Sequence, residues 1–523
     1  MVGEPKALTM WKETTTGSVI HIHEIITNAL IGQNQNSEPI PRLAAELPSV
    51  DRGTWHINAD GTMDTTYKLQ PNAVWHDGTP FTAHDVVFSA NAQLDPRVEL
   101  FVRTLKDAGV DQVSAADDKT VVMHWTRTYG FADSLIFWDF TPLPAHVLEG
   151  AYQSDVLSFN QHPYWSDPEV FVGTGPYKLM SWTRGAQMEL QAFDAYYLGQ
   201  PKIDRIVISF VADDNGAVGR VLSGDADVAW VGTWTKSNMD QVRSRGLGDF
   251  IVDHENYSHI VFQFKDIAVP LDLAKDVRLR RALAYATDKD AINQAGTDGL
   301  GLPADSWIPP DDARYAAADS YIEHYPYDPQ RAQQMFTDAG WVKGPDGLLH
   351  NGAGQPFSCL VRGAPGVGTV GVASVIANNW HGVGVDSTVE ELPTALTRDL
   401  EARATFTCVE HSARTLGRTA FQHLQSSNAM LPENHYAGSN RGAYMNPELD
   451  RGLDGFFSAL TLNDRLQRER EVLQVLTTDL PLIPTYINAN AYYQKKGVTG
   501  NLAKTGLDIM NSQTWNIYQW DKQ

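Results

Sequence analysis

Apolar residues recur at the two-residue period of an extended strand from Tyr257 to Lys265, where Ile260, Phe262 and Phe264 share one face. The pattern then changes. Beyond a loop containing Pro270, Asp276 is placed to cap a helix whose Leu279, Leu283 and Ala286 repeat at helical spacing, with Arg278, Arg280 and Arg281 in its early turns. Thr287 is expected to start a second helix, with Asp290 three places on in capping-box position. This stretch lies near the middle of the chain, so a two-lobed fold needs it to leave one lobe and enter the other.

Taken from the start, Ala7–Trp11 reads as a short strand followed by a helix from about His21 to Leu30. From Leu43 to about Trp165 the chain is rich in turns, as at Asn58-Ala-Asp-Gly61 and His76-Asp-Gly78, between strand-like pieces Thr65–Leu69 and Thr120–Trp125. A helix should begin at Thr82 with Asp85 completing its capping box and Val86, Val87 and Ala90 inward. Strand and helix signals alternate through Gln187–Gln191, Ile206–Phe210, Gly216–Leu222 and Val228–Trp230, the habit of an α/β sheet. Further helices are expected at Asp328–Ala339 and Asn463–Thr478, with strands near Leu360, Val389 and Val409. Strand-like Ala491–Gln494 brings the chain back.

Several of these stretches resemble one family. Asp276-Val-Arg-Leu-Arg-Arg-Ala-Leu-Ala-Tyr-Ala-Thr-Asp-Lys-Asp-Ala-Ile292 is similar to the start of the second lobe in the peptide- and nickel-binding group of bacterial extracytoplasmic solute-binding proteins, the receptors of ABC importers. Trp75–Phe88, Gly173-Thr-Gly-Pro-Tyr-Lys-Leu179, Leu222-Ser-Gly-Asp-Ala-Asp-Val228, and Tyr327–Ala332 with Ala339-Gly-Trp341 resemble it in the same order. The resemblance implies an α/β fold of the two-lobed periplasmic-binding-protein (Venus flytrap) type with two hinge-crossing segments, near Val261 and Tyr492. It also implies a discontinuous first lobe over 1–50, 166–262 and 488–523, a small inserted domain over 51–165, and a second lobe over 263–487. It further implies a small organic solute as ligand, a membrane permease and ATPase as partners, a monomeric state, and a periplasmic or extracytoplasmic location compatible with a lipid anchor. No catalysis and no cofactor are implied.

Composition changes this picture little. At 523 residues the chain exceeds one ordinary core, and its 42% hydrophobic and 20% charged residues are those of a folded globular protein. A net charge of −22 speaks against nonspecific binding to nucleic acid or anionic membranes. No apolar run is long enough to span a bilayer, and Met1–Lys6 has no apolar core of a signal peptide; on the family reading a secretion signal has been removed. Cys359 and Cys408 have no metal-like spacing and lie in apolar runs that in the family would be parallel strands. A disulfide between them and two buried thiols both remain open, with the thiols favoured because burial is the usual state of free cysteine.

Gly366-Val-Gly-Thr-Val-Gly371 matches the dinucleotide fingerprint and carries the competing reading, a nucleotide-dependent oxidoreductase using Gly366, Gly368 and Gly371. Arg362-Gly-Ala-Pro365 separates the first glycine from its strand, which argues against it. A third reading is a receptor-like protein turned to sensing or envelope assembly. His21 and His23 should point apart on a helix, so no metal site is expected, and Asp225 and Asp227 read as solvated turn carboxylates.

The candidate ligand-binding residues are Trp11, Glu13 and Thr14 after the first strand, Trp230 and Trp234 after Val228–Trp230, and Glu410, His411 and Arg414. Packing is the competing role for each tryptophan, and solvent exposure for Arg414. Peptide-binding relatives carry an aspartate near the position of Arg414 that pairs with the ligand's α-ammonium. A guanidinium there favours a carboxylate, phosphate or hydroxyl-rich ligand. The expected solute is therefore an oligosaccharide or an acidic or amino-blocked compound, with an oligopeptide as the alternative.

Overall fold

A computed structural model describes residues 3–12, 17–100, 104–230, 234–363, 370–397, 399–502 and 512–523. The chain divides into two compact units, one holding the residues up to Asp253 and again from Asn490, the other holding His254–Ala489.

The first unit is built on three antiparallel sheets. One has four strands in the order Trp55–Ile57, Met63–Lys68, Thr120–Trp125, Val110–Asp117. A second is the meander Tyr177–Thr183, Gln187–Ala192, Arg205–Ser209. The third places Asn490–Lys495 between Val228–Trp230 and Gly248–Asp253. Thr82 and Asp85 form the expected capping box of the helix Ala83–Leu94, which turns Val86 and Ala90 inward. The strand expected over Ala7–Trp11 is absent: these residues form bends and turns, and Trp11 is buried against Trp165.

Two of the family-like motifs meet at the end of the Gly17–Ile26 helix. Gly175 N donates to Ile26 O, and a Cβ on Gly173 would lie 1.8 Å from that same oxygen, so only glycine lets the two backbones approach. His76 locks the junction. Its Nδ1 accepts from Gly173 N at 3.2 Å and its Nε2 donates to Gly175 O at 3.0 Å, which fixes a neutral tautomer. Burial pulls this imidazole down to about 4.

The second unit holds a mixed six-stranded sheet in the order Leu302–Pro303, Leu482–Ile487, Asn256–Phe262, Val409–Thr415, Ser358–Gly363, Asp386–Glu391. Asn256–Phe262 is antiparallel to both neighbours, and Ser358–Gly363 is parallel to both of its own. Val261, expected near a crossing, thus pairs with Glu410 on one side and Leu482 on the other, well inside this sheet. Ile260, Phe262, Val361, Ile376, Trp380 and Tyr486 belong to its core.

The arginine-rich motif proves architectural. Asp276 caps the helix Val277–Tyr285 by accepting from Arg278 N at 2.9 Å. Arg280 donates to Asp479 O and Leu480 O, and Arg281 to Thr478 O, so both guanidinia satisfy carbonyls left open at the end of the helix Leu462–Asp479. The following helix starts one residue later than expected. Asp288 is its cap, accepting from Ala291 N, because the Thr287 hydroxyl is already bonded to Leu283 O and Trp380 Nε1.

Of the two alternatives for the cysteines, the structure shows the disulfide and not the favoured free thiols. Cys359 and Cys408 form a disulfide with Cα atoms 5.3 Å apart. Parallel pairing of Val361 with Val409 brings the two preceding chain segments side by side, a proximity that spacing in the sequence could not show.

Candidate functional site

Strand alternation sorts the polar residues of the second unit. Tyr257 lies opposite Arg414, His259 opposite Ser412 and Val261 opposite Glu410, so these side chains share one side of the sheet. Ile260 lies opposite His411 on the other side, in the apolar core. His411 is fully buried near Tyr486, with ring centroids 6.2 Å apart, and burial pulls it down to about 4. It is therefore separated from Glu410 and Arg414, beside which it stands in the sequence.

On the polar side Glu410 is fully buried and already engaged. Arg362 Nε donates to its Oε2 at 2.9 Å, and Arg441 Nη1 donates to its Oε1. Arg362 also reaches Ala402 O and Arg403 O. Arg414 is partly buried and among the described residues makes one long hydrogen bond, 3.5 Å from Nη2 to Ser439 O. Burial, reinforced by the neighbouring Arg441 charge, pulls it down to about 9, which leaves it a cation at neutral pH.

Around this guanidinium lie groups that sequence reading missed. His259 is 2% exposed, stacks on Tyr257 at 4.6 Å, and its Nδ1 has no hydrogen-bond partner among the described residues. His423 Nδ1 and Trp307 Nε1 are buried without partners too. Burial holds both histidines well below their ordinary range, helped by the charges of Arg414 and Arg441 and, for His423, also of Arg403. His259 stood in the very strand that the alternation identified. His423 and Arg441 come from loops, and no periodicity marks a loop residue.

The first-unit candidates divide differently. Trp11 is core: its Nε1 donates to Thr141 O, and it stacks on Trp165 at 6.5 Å. A flat ring already covers Trp230, His21 lying parallel to it at 5.0 Å with an interplanar angle of 7°. Trp234 is 4% exposed and packs edge-on to Phe250 at 4.6 Å. Trp230 and Trp234 keep buried, unpartnered indole nitrogens. Glu13 and Thr14 lie outside the described residues, as do Gly366 and Gly368. Gly371 sits in the first turn of the helix Val370–Gly382, well after the strand ending at Gly363. Among the described residues no group of three or more His, Cys, Asp or Glu could hold a metal ion, and no helix is long and apolar enough to cross a membrane.

A buried polar face on a mixed sheet, with a partly buried guanidinium and unpartnered imidazole nitrogens among the described residues, suits a binding protein. The family model for bacterial extracellular solute-binding proteins, family 5 Middle, matches residues 38–412. The chain belongs to this family.

As a family 5 solute-binding protein it is an extracytoplasmic receptor of the ABC-importer type with the two-domain binding-protein fold, and it is not an enzyme. Protein XP55 of Streptomyces lividans is 27% identical over 457 residues, covering 87% of this chain and 77% of XP55. The dipeptide-binding protein of Escherichia coli K12 is 28% identical over 325 residues, which cover 59% of this chain and 56% of that protein. The fold matches that of NikZ from Campylobacter jejuni in complex with Ni(L-His), with a TM-score of 0.75 at 21% identity over 100% of this chain and 98% of NikZ.

Proposed function

We propose that this receptor binds a peptide-like solute through a carboxylate held by Arg414, without needing a free amino terminus, and delivers it as a monomer to the permease and ATPase of an importer. Arg414 carries the reading, because a cation bonded among the described residues only at 3.5 Å to one carbonyl has donors to spare. The E. coli relative is named for dipeptides, which favours a peptide-like ligand over the oligosaccharide expected from the sequence. The indoles support that choice: Trp11 is core and Trp230 is already stacked, so neither offers a free face to a sugar.

Binding would select a closed form, with the passages at Asp253–His254 and Ala489–Asn490 as the hinge. Thermal shift with free-amino dipeptides, N-acetylated peptides and xylo-oligosaccharides tests the ligand class, and N-acetylated peptides should give the largest rise in Tm. Arg414→Ala should then cost the best peptide about 1.5 to 3 kcal/mol of affinity by calorimetry. Stabilisation by oligosaccharides alone, or an unchanged affinity in the variant, refutes the proposal.

A further inference from the structure

The charge around Arg414 exceeds what one carboxylate needs. Arg362, Arg403, Arg414 and Arg441 converge there, and Glu410 is the acidic side chain that acts on Arg403 and Arg414. Among the described residues Arg362 and Arg441 are bonded to Glu410, which spends that carboxylate, while the charges of Arg403 and Arg414 lie within electrostatic reach of it and of Arg441. Arg403 is partly buried, and no hydrogen bond engages its guanidinium among the described residues. The aromatic and imidazole groups at hand, Tyr257, His259 and His423, add no negative charge: burial pushes the Tyr257 hydroxyl up and holds both histidines neutral. The chain as a whole carries 63 acidic side chains against 41 Lys and Arg, so this concentration of cations runs against its composition.

Like charges gathered in a partly desolvated place repel one another, and buried cations are ordinarily paired. Arg441 Nε and the imidazole Nδ1 atoms of His259 and His423 add buried polar atoms without partners among the described residues. We infer that the Tyr257–Arg414 face of the second unit is a site for a solute with two or more negative charges, a polycarboxylate or phosphorylated peptide, rather than for a lone terminal carboxylate. The inference rests on the proposed function and narrows its ligand class.

A series of N-acetylated tripeptides at low ionic strength tests it: Ala-Ala-Ala, Ala-Ala-Glu and Ala-Glu-Glu, with Ala-Gln-Gln as the control that keeps only the terminal carboxylate and Ala-Ala-phosphoserine to separate phosphate from carboxylate. Affinity should rise about tenfold with each added charge, fall with salt, and ignore glutamine. The better of Ala-Glu-Glu and Ala-Ala-phosphoserine names the anion. Arg403→Gln removes a guanidinium with no hydrogen bond among the described residues, so the protein should still fold while the advantage of Ala-Glu-Glu over Ala-Gln-Gln shrinks severalfold. Equal binding of the Glu and Gln peptides overturns the inference and leaves the proposed function standing. An unchanged Glu advantage in Arg403→Gln overturns it as well. Failure of every acetylated peptide to bind overturns both.

Discussion

His76 in the first unit and His423 in the second are both pulled down by burial, yet they stand in opposite circumstances. Each ring nitrogen of His76 has a backbone partner, and those bonds join two loops to the end of a helix. His423 keeps a buried nitrogen without a partner and faces Arg414, Arg441 and Arg403. A buried polar group whose bonds are all made holds the fold together. One with bonds left over, among surplus charge of one sign, is where a partner from outside can be received.

The largest effect that could break this contrast lies at Glu410. Glu410→Gln leaves Arg362 and Arg441 without their shared anion and should cost about 3 to 5 kcal/mol in urea unfolding. A loss below about 1 kcal/mol would show that the cations are solvated, and the surplus-charge argument would collapse with it.

Replacing Cys359 and Cys408 together by alanine should remove about 2 to 4 kcal/mol, since the bridge closes a loop of 49 residues. Mass spectrometry under alkylation checks the bridge and calorimetry its worth. Because it ties the segments leading into the Ser358–Gly363 and Val409–Thr415 strands, affinity for the acetylated peptides should fall as well.

The pH dependence comes next. His76 and His411 are held at about 4 against an ordinary 6.5, so the unfolded chain binds more protons below pH 6.5 and folded stability falls as the medium is acidified. Each should cost about 2 kcal/mol between pH 7 and pH 5. His259 and His423 act in the same direction in the free protein. A bound anion reverses the local charge, so Ala-Glu-Glu should bind more tightly at pH 5.5 than at 7.5, with proton uptake visible in buffers of different ionisation enthalpy. Tighter binding at the higher pH would remove the histidines from the site.

The smallest effect is the sharpest comparison. His76→Gln should lower stability by about 1 to 2 kcal/mol and leave peptide affinity unchanged, whereas His423→Gln should alter affinity and its pH profile with less effect on stability. Paired unfolding and titration curves decide it, and like behaviour of the two variants would erase the distinction drawn here.

Much of the fold was legible because it rests on local physics. The capping box of Thr82 and Asp85, the cap at Asp276 and the alternation through Ile260 and Phe262 are written in spacings of two to four residues. Local rules also misled. Ala7–Trp11 reads as a short strand yet forms bends and turns, its tryptophan taken into a core with Trp165, and Asp288 displaced Thr287 as a cap because that hydroxyl had found a partner in Trp380. The site was less legible. Adjacent in the chain, Glu410 and His411 turn to opposite sides of the sheet, while Arg441 and His423 arrive from loops.

By itself the sequence determined the family, through motifs that prove to be helix caps and close backbone approaches. Those are short-range constraints, and a linear string records them directly. Only the tertiary structure decided that Cys359 meets Cys408, that Glu410 is consumed by Arg362 and Arg441, and that four guanidinia share one place. Strand pairing across a gap of some 150 residues sets Tyr257 opposite Arg414, and no local spacing encodes that register.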